Sequence, residues 1–171
     1  MRHYQDYYPT PRKFFEKLEP FINWLKVDSF FEPCHGDKRI VEWVGRRGGI
    51  SVSSIDLNAT DAKEKQDYLD FAYQPPKVNL VITNPPYSAA LPFIHKTLPK
   101  ANCSFFFLRL NFLAARSREQ WFKANPLKAL IVSSERPSFT DDGRTDATDY
   151  GWFVWEKEGS EICKVKGVIH L

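Results

Sequence analysis

The sequence contains little glycine, little cysteine and no long hydrophobic run. Its 171 residues include 8 glycines and 3 cysteines, and its wholly apolar runs are only a few residues long. A membrane span needs about 20 mostly apolar residues, and a chain of this length buries enough surface to fold without disulfides. The amino-terminal residues also lack the apolar stretch of a secretory signal. We therefore expect a single globular domain over 1–171, without membrane association, in the cytoplasm.

The cysteines and histidines are not spaced as metal ligands. Cys34, His35, Cys103 and Cys163 do not form the paired patterns that hold zinc. We expect no metal site and three reduced thiols.

Extended apolar segments alternate with helical ones between about residue 11 and residue 134. Strands are predicted at 29–33, 50–55, 78–83, 104–110 and 128–134. Helices are predicted at 11–26, 38–47, 88–100 and 113–125. This alternation is typical of an α/β fold, in which helices cover a mostly parallel sheet.

The C-terminal segment breaks this alternation. Two β-like runs, 149–156 and 162–169, flank the short turn Lys157-Glu158-Gly159-Ser160. Because so short a connection cannot cross a sheet between parallel strands, we expect a C-terminal antiparallel hairpin.

Polar side chains follow the first two predicted strands. Glu32 lies in the turn Phe31-Glu32-Pro33-Cys34-His35-Gly36, where its carboxylate could meet an ammonium or hydroxyl group of a ligand. That turn has one glycine instead of the three of a dinucleotide fingerprint, which argues against NAD binding. Asp56 follows the second strand, 20 residues after Gly36, which is the position of a ribose-binding acid in nucleoside-cofactor folds. An aspartate that caps a turn is the alternative interpretation.

The stretch Asn84-Pro85-Pro86-Tyr87 follows the third predicted strand. Two successive prolines cannot donate sheet hydrogen bonds, so the strand must stop at Asn84 and continue as a stiff loop. An amide oxygen, a neighbouring backbone carbonyl and an aromatic ring on such a loop could hold a planar group that carries an NH2. A purely structural double-proline turn is the alternative.

Asn84-Pro85-Pro86-Tyr87 resembles the catalytic signature of S-adenosylmethionine-dependent amino-methyltransferases, above all the N6-adenine DNA methyltransferases, including small phage-type enzymes. Other segments match in the same order along the chain: Tyr8-Pro9-Thr10-Pro11, Phe31 to Gly36, Asp56, Asp70-Phe71, Glu135-Arg136-Pro137 and Tyr150-Gly151-Trp152-Phe153. The resemblance implies a Rossmann-like class I methyltransferase fold with a seven-stranded sheet, helices on both faces and the Gly36 loop beside the Asn84 loop.

The resemblance also implies a role for each matched residue. The residues that would hold S-adenosylmethionine are Tyr8, Thr10, Glu32, Pro33, Gly36, Asp56, Asp70, Phe71 and Asn84. Asp56 would accept the ribose hydroxyls, and Asp70 would accept the adenine amino group. The catalytic residues would be Asn84, Pro85, Pro86 and Tyr87. The Asn84 side-chain oxygen and the Pro85 carbonyl would accept both N–H bonds of an adenine N6 amine, while Tyr87 stacks on the extruded base.

Positive charge is concentrated between residues 96 and 128, a stretch that contains seven basic residues and one acidic residue. Such a stripe can meet nucleic-acid phosphates or can be a solvated helix face. The candidate nucleic-acid-binding residues are Lys96, Arg116, Arg118, Arg136 and Arg144. DNA is the expected partner, more than RNA.

The stretches 88–104 and 138–148 are too short for the target-recognition region that many such methyltransferases carry. We therefore expect no separate recognition domain, and a homodimer or a recognition subunit would supply that surface. Three alternatives stay open: an RNA adenine methyltransferase, a protein glutamine methyltransferase, and a catalytically silent cofactor-binding scaffold.

Overall fold

The computed structural model describes residues 8–139 and 145–171, which build a seven-stranded mixed sheet. The strands are β1 (Ser29–Glu32), β2 (Ser51–Ser54), β3 (Val78–Thr83), β4 (Ala101–Arg109), β5 (Ala129–Val132), β6 (Tyr150–Glu156) and β7 (Gly167–His170). Their order across the sheet is β2-β1-β3-β4-β6-β5-β7. The first four run parallel to one another, β6 is antiparallel to both β4 and β5, and β7 is parallel to β5.

Two hydrophobic cores lie on the two faces of this sheet. Alternation along β4 shows the division, because Phe105 and Phe107 join one core while Phe106 joins the other. Side chains of the first helical region pack on the first face, and those of the helices after β3 and β4 pack on the second. The predicted α/β architecture, with helices on both faces, is confirmed.

The helices are shorter than the sequence predicted. They are α1 (Arg12–Glu16), α2 (Arg39–Gly45), α3 (Ala90–Thr97) and α4 (Glu119–Ala124), with 3-10 turns at Glu19–Phe21, Trp24–Lys26, Tyr87–Ala89, Leu110–Ala114 and Arg116–Arg118. Pro20 lies in the first of these turns and has no N–H to continue α1. Over residues 8–139 and 145–171, no helix has the length and apolar character needed to cross a membrane.

The predicted C-terminal hairpin is wrong. β6 is inserted between β4 and β5, whereas β7 lies at the far edge of the sheet beside β5. The connection between β6 and β7 does not fold back along β6, because the Glu156 carboxylate accepts the backbone N–H groups of Ile162 and Cys163, at 2.6 and 2.8 Å. Further backbone hydrogen bonds join this connection to the turn at 21–23 before the chain re-enters the sheet as β7.

The topology brings the ends of several strands to one edge of the sheet. β1 and β3 are neighbours, so the loops that follow Glu32 and Thr83 lie side by side, as the resemblance implied. β2 and β4 run in the same direction, and β6, which is antiparallel, begins at this edge with Tyr150 opposite Arg109. Ligands of open α/β sheets bind at this carboxyl edge.

Candidate active site

A cavity of about 300 Å³ opens at the carboxyl ends of β1, β2 and β3. Seven of the nine residues predicted to hold S-adenosylmethionine line it: Tyr8, Thr10, Glu32, Pro33, Gly36, Asp56 and Asn84. Its volume is at the lower end of the range for small-molecule pockets. The segment at 8–10, distant in sequence from the rest, is therefore part of the same site.

Asp70 and Phe71 do not line this cavity. Phe71 is 96% exposed, and the Asp70 carboxylate accepts the backbone N–H of Ala72 at 2.9 Å. Asp67 and Tyr68, three residues earlier, line the cavity instead. Tyr68 is buried, with its hydroxyl 2.8 Å from that of Thr97 on α3, and this anchor determines which acid-aromatic pair faces inward.

Glu32 is the most deeply buried acid of the cavity, with 1% of its surface exposed. Its Oε1 accepts the backbone N–H of Cys34 at 3.4 Å, whereas its Oε2 is buried and forms no hydrogen bond within the described structure. Burial raises the pKa of this carboxyl well above its ordinary value, and the nearby hydroxyl of Thr83 only partly offsets that effect. An uncompensated buried oxygen at a cavity wall is suited to a ligand donor.

Asp56 joins two loops of the cavity wall. Its Oδ2 accepts the Gly36 N–H at 3.0 Å, and its Oδ1 accepts the Asn58 N–H at 2.7 Å. Gly36 has a φ of 51°, a left-handed conformation that glycine adopts without steric cost. Each carboxylate oxygen has a second lone-pair direction, so Asp56 can hold the loops and still accept hydrogen bonds from a ligand.

The Asn84 side-chain amide is oriented by the amino-terminal segment. Its Nδ2 donates a hydrogen bond to the backbone oxygen of Tyr8 at 2.7 Å, which fixes the amide so that Oδ1 is the free acceptor. That Oδ1 is buried and accepts no hydrogen bond in the described structure. The Asn84 backbone oxygen lies 3.4 Å from the Cys34 Sγ, a contact that joins the β3 loop to the β1 loop.

Tyr87 lies between an aromatic ring and a guanidinium. Its ring is stacked on that of Tyr8, with centroids 5.5 Å apart, and the Arg109 guanidinium carbon is 4.9 Å from its centroid. Burial raises the pKa of the Tyr87 hydroxyl well above its ordinary value, so this group stays neutral. Pro86 lines the 300 Å³ cavity described above, whereas Pro85 is buried and does not line it. Pro85 is also absent from the lining of a second cavity, which lies beside Tyr87.

A second cavity, of about 310 Å³, adjoins Tyr87. It is lined by Tyr8, Tyr87, Ser88, Ala90, Leu91, Leu108, Arg109, Asn111, Phe112 and Arg118. Tyr8 lines both cavities, so the loop from Asn84 to Tyr87 stands where they meet. We name them the first cavity and the second cavity.

A polar network that the sequence did not indicate supports Tyr87. Arg109 donates to the Tyr150 hydroxyl at 3.0 Å and to the Asp146 carboxylate at 3.1 Å, and Tyr150 donates to the same carboxylate at 2.6 Å. Burial opposes the ionisation of Asp146, but these donors outweigh it and hold the pKa of Asp146 below its ordinary value. Burial raises the pKa of Tyr150 to about 12. Arg109 therefore keeps a fixed position under the Tyr87 ring.

The predicted nucleic-acid-binding residues occupy different surroundings. Lys96 donates to the backbone oxygen of Asp70 at 2.6 Å, and Arg136 pairs with Asp149 at 2.9 Å. Arg116 is exposed beside a shallow groove, whereas Arg118 lines the second cavity. Arg144 lies outside the described residues.

The buried carboxyl of Glu32 should make stability depend on pH. The folded protein keeps Glu32 protonated at pH values where the unfolded chain ionises it, so this contribution is complete below the unfolded pKa and is lost as pH rises towards the folded pKa. We expect Glu32→Gln to gain stability relative to the wild type by about 1.4 kcal/mol per pH unit across that window. Urea unfolding from mildly acidic to neutral pH measures the difference.

Glu135→Gln is a control in which the stability difference from the wild type should change with pH in the opposite direction. Hydrogen bonds from Lys13 and Lys17 lower the pKa of Glu135, so its stabilising contribution is present above the unfolded pKa and is lost as pH falls through the folded value. This variant should be less stable than the wild type near neutral pH, and equal to it in acid. A stability difference for Glu32→Gln that does not change with pH would contradict the assignment.

The fold is similar to those of solved methyltransferases. The 23S rRNA methyltransferase ErmE matches with a TM-score of 0.62 and 13% sequence identity, over 94% of this chain and 73% of that chain. A Listeria monocytogenes structure, provisionally assigned to the class I S-adenosylmethionine-dependent methyltransferases, matches with a TM-score of 0.60 and 13% identity over 90% of this chain. A dimethyladenosine transferase from Plasmodium falciparum matches with a TM-score of 0.51 and 14% identity, over 90% of this chain and 65% of that chain.

The chain spans 61% of the length of the Listeria structure. No protein-family model and no curated protein sequence matches it. The sheet order and the antiparallel position of β6 are those of a Rossmann-like class I methyltransferase fold, so the predicted fold class is confirmed.

Proposed function

We propose that the protein transfers a methyl group from S-adenosylmethionine to the exocyclic N6 amine of adenine in a nucleic acid, with DNA as the substrate that the sequence resemblance favours. The observation that carries the proposal is the orientation of the Asn84 amide. Its Nδ2 is committed to the Tyr8 backbone oxygen, and its buried Oδ1, on a side chain that lines the first cavity, accepts no hydrogen bond from a described residue. An amine that entered there would meet an acceptor already in place.

The first cavity has the charge that S-adenosylmethionine requires. Four carboxyl groups line it, those of Glu32, Asp37, Asp56 and Asp67. The one guanidinium that described residues contribute to its lining, that of Arg39, pairs with Asp37 at 2.6 Å. The carboxylates of Asp56 and Asp67 suit a ligand that carries a sulfonium and an ammonium. Glu32 is suited to the ammonium because a cation beside its Oε2, which has no donor among the described residues, favours the charged form that burial opposes, and Asp56 is suited to the ribose hydroxyls.

The acceptor amine is a weak nucleophile because its lone pair is delocalised into the purine ring. When bound, S-adenosylmethionine supplies an electrophilic methyl group. The Asn84 Oδ1 accepts an N–H bond of the amine, favours a tetrahedral nitrogen and stabilises the positive charge that develops on it. An extruded base would stack on Tyr87 by displacing the Tyr8 ring, which is now stacked on it with centroids 5.5 Å apart. The stiff Pro85-Pro86 segment fixes the distance between amine and methyl group. The amide is not a base, so the proton leaves to water after the transfer.

An RNA substrate is the second candidate. It is favoured by the neighbours in fold, since ErmE is described as a 23S rRNA methyltransferase and the Plasmodium protein as a dimethyladenosine transferase. An extruded adenine presents the same amine in either nucleic acid. The choice between them depends on contacts to the sugar 2′-hydroxyl and to the helix form.

The proposal is tested by supplying methyl-labelled S-adenosylmethionine with duplex DNA, single-stranded DNA, RNA and a protein extract in parallel. We expect label in N6-methyladenine from a nucleic-acid sample. Label in glutamine alone would replace the proposal with protein methylation. Measurable cofactor binding without label in any sample would identify a scaffold.

A further inference from the structure

The second cavity contains two guanidinium groups with very different surroundings. Arg109 is paired with Asp146 and bonded to Tyr150, as described above. Arg118 forms no salt bridge with any described residue, and its neighbour Glu119 pairs with Lys123 at 2.7 Å. Within the described part of the chain, no carboxylate therefore neutralises the charge of Arg118.

Arg118 is nevertheless held in place. Its Nε donates to the backbone oxygen of Phe112 at 2.8 Å, and its guanidinium carbon lies 4.4 Å from the centroid of the Phe112 ring. These contacts use one edge and one face of the guanidinium. The two terminal Nη groups form no hydrogen bond among the described residues, and the side chain is half-buried. A planar fork with its position fixed and its donors free is the arrangement that binds a phosphate through two parallel hydrogen bonds.

The rest of the cavity fits the remainder of a nucleotide. Tyr8 and Tyr87 line it with a stacked pair of aromatic rings, Leu91 and Leu108 supply apolar wall, and Asn111 places an exposed amide at the rim. None of the described residues that line the cavity carries a carboxyl group. A peptide that presents a glutamine would leave the Arg118 charge unmatched, whereas a nucleotide brings both an anion and a planar base.

We propose that the second cavity binds the nucleotide that carries the acceptor base, and that Arg118 holds a backbone phosphate flanking that base. The inference rests on the proposed function for the identity of the base, but phosphate binding by Arg118 can be measured without methyl transfer. Arg118 is a positioning residue, because it contacts the phosphate and not the reacting amine.

The other basic candidates that the structure describes do not offer an equivalent site. Lys96 is bonded to the Asp70 backbone, and Arg136 is paired with Asp149. Arg116 lies two residues from Arg118 and carries the same charge, but it lines the shallow groove and not the second cavity. Arg116→Ala is therefore the matched control for general electrostatic attraction.

The test measures equilibrium binding of short single-stranded oligonucleotides that contain one adenine. In separate oligonucleotides, a neutral methylphosphonate replaces the linkage on either side of that adenine. For the wild type we expect one of these replacements to weaken binding about tenfold, which is the loss of a hydrogen-bonded charge pair. Arg118→Ala should weaken binding of the unmodified oligonucleotide by a similar factor, and the methylphosphonate should then cause no further loss.

Arg118→Lys keeps the charge but not the fork, and we expect it to recover only part of the affinity. Arg116→Ala should keep the full methylphosphonate effect. Urea unfolding of each variant shows whether the lost Phe112 contact has disturbed the fold. Equal weakening by both alanine variants, or a methylphosphonate effect that persists in folded Arg118→Ala, would overturn the proposal.

Methyl transfer is measured on the same samples. A methylphosphonate effect that depends on Arg118, without any methyl transfer by the wild type, would reject the proposed function and keep the phosphate site. Normal methylation of the oligonucleotide with no response to either methylphosphonate would reject the phosphate site and keep the proposed function.

Discussion

Asn84→Ala is expected to slow methyl transfer by about 100- to 1,000-fold, the cost of removing one preorganised polar group from a site of developing charge. Cofactor affinity should change far less, because Asn84 is one residue among many that line the first cavity. Single-turnover transfer from labelled S-adenosylmethionine measures the rate, and calorimetry measures the affinity. Loss of both in equal proportion would indicate a disturbed cavity.

Two further variants separate the role of the oxygen from that of the fold. Asn84→Asp keeps an acceptor oxygen but places carboxylate lone pairs against the Tyr8 backbone oxygen, where Nδ2 now donates at 2.7 Å. We expect activity between those of the wild type and Asn84→Ala. Asn79 lies near the opposite end of β3, where its Oδ1 accepts the backbone N–H groups of Asp28 and Ser29. Asn79→Ala should cost stability, about 1–3 kcal/mol, without slowing the folded enzyme.

Transfer at the wild-type rate by folded Asn84→Ala would remove the amide from the mechanism. It would also leave the buried Oδ1 without an explanation, since a polar atom that neither folds nor reacts is a net cost. The comparison with Asn79→Ala therefore tests the chemistry separately from the stability of β3.

The centre of the sheet was predictable because its central strands are buried on both faces. β3 and β4 are nearly continuous apolar runs, which identify central parallel strands without any alternation. The C-terminal hairpin was not predictable, because the four residues 157–160 have the composition of a tight turn. What prevents the hairpin is the Glu156 carboxylate, which is bonded to residues beyond that turn, and backbone pairing with 21–23, a segment distant in sequence.

It was predictable, for the same topological reason, that the residues following the strands would lie together. Glu32, Asp56 and Asn84 all line the first cavity, because the carboxyl ends of parallel strands share one edge. Asp67-Tyr68 and Asp70-Phe71 could not be distinguished in this way. Both are acid-aromatic pairs in one connection, and the inward pair is selected by the contact of Tyr68 with Thr97.

The sequence around Arg109 and Asp146 did not indicate that these residues form a network under Tyr87. Arg109 was part of a basic stripe, and Asp146 lies in a polar loop, so neither sequence neighbourhood indicated a pair. They meet because β6 enters the sheet antiparallel to β4 and places Tyr150 opposite Arg109. The strand pairing that was hardest to predict is thus the one that places Arg109 and Tyr150 beside Tyr87.

Asp56→Ala is expected to weaken cofactor binding about 10- to 100-fold, because hydrogen bonds to a charged group are each worth about 1.5–3 kcal/mol. The variant also releases the Gly36 and Asn58 N–H groups that the carboxylate now accepts. Asp61→Ala is the matched control. Asp61 accepts the Lys63 N–H at 2.9 Å in the same connection but lies outside the first cavity.

The direct ligand contact is separated from the loop contacts by changing the cofactor as well as the protein. A cofactor analogue without ribose hydroxyls should bind the wild type about as weakly as Asp56→Ala binds S-adenosylmethionine. If Asp56 accepts those hydroxyls, the analogue should lose no further affinity in Asp56→Ala, since both changes remove the same hydrogen bonds. If Asp56 acts only by holding the Gly36 and Asn58 loops, the two losses should add, and the carboxylate would then be a structural residue of the cavity wall.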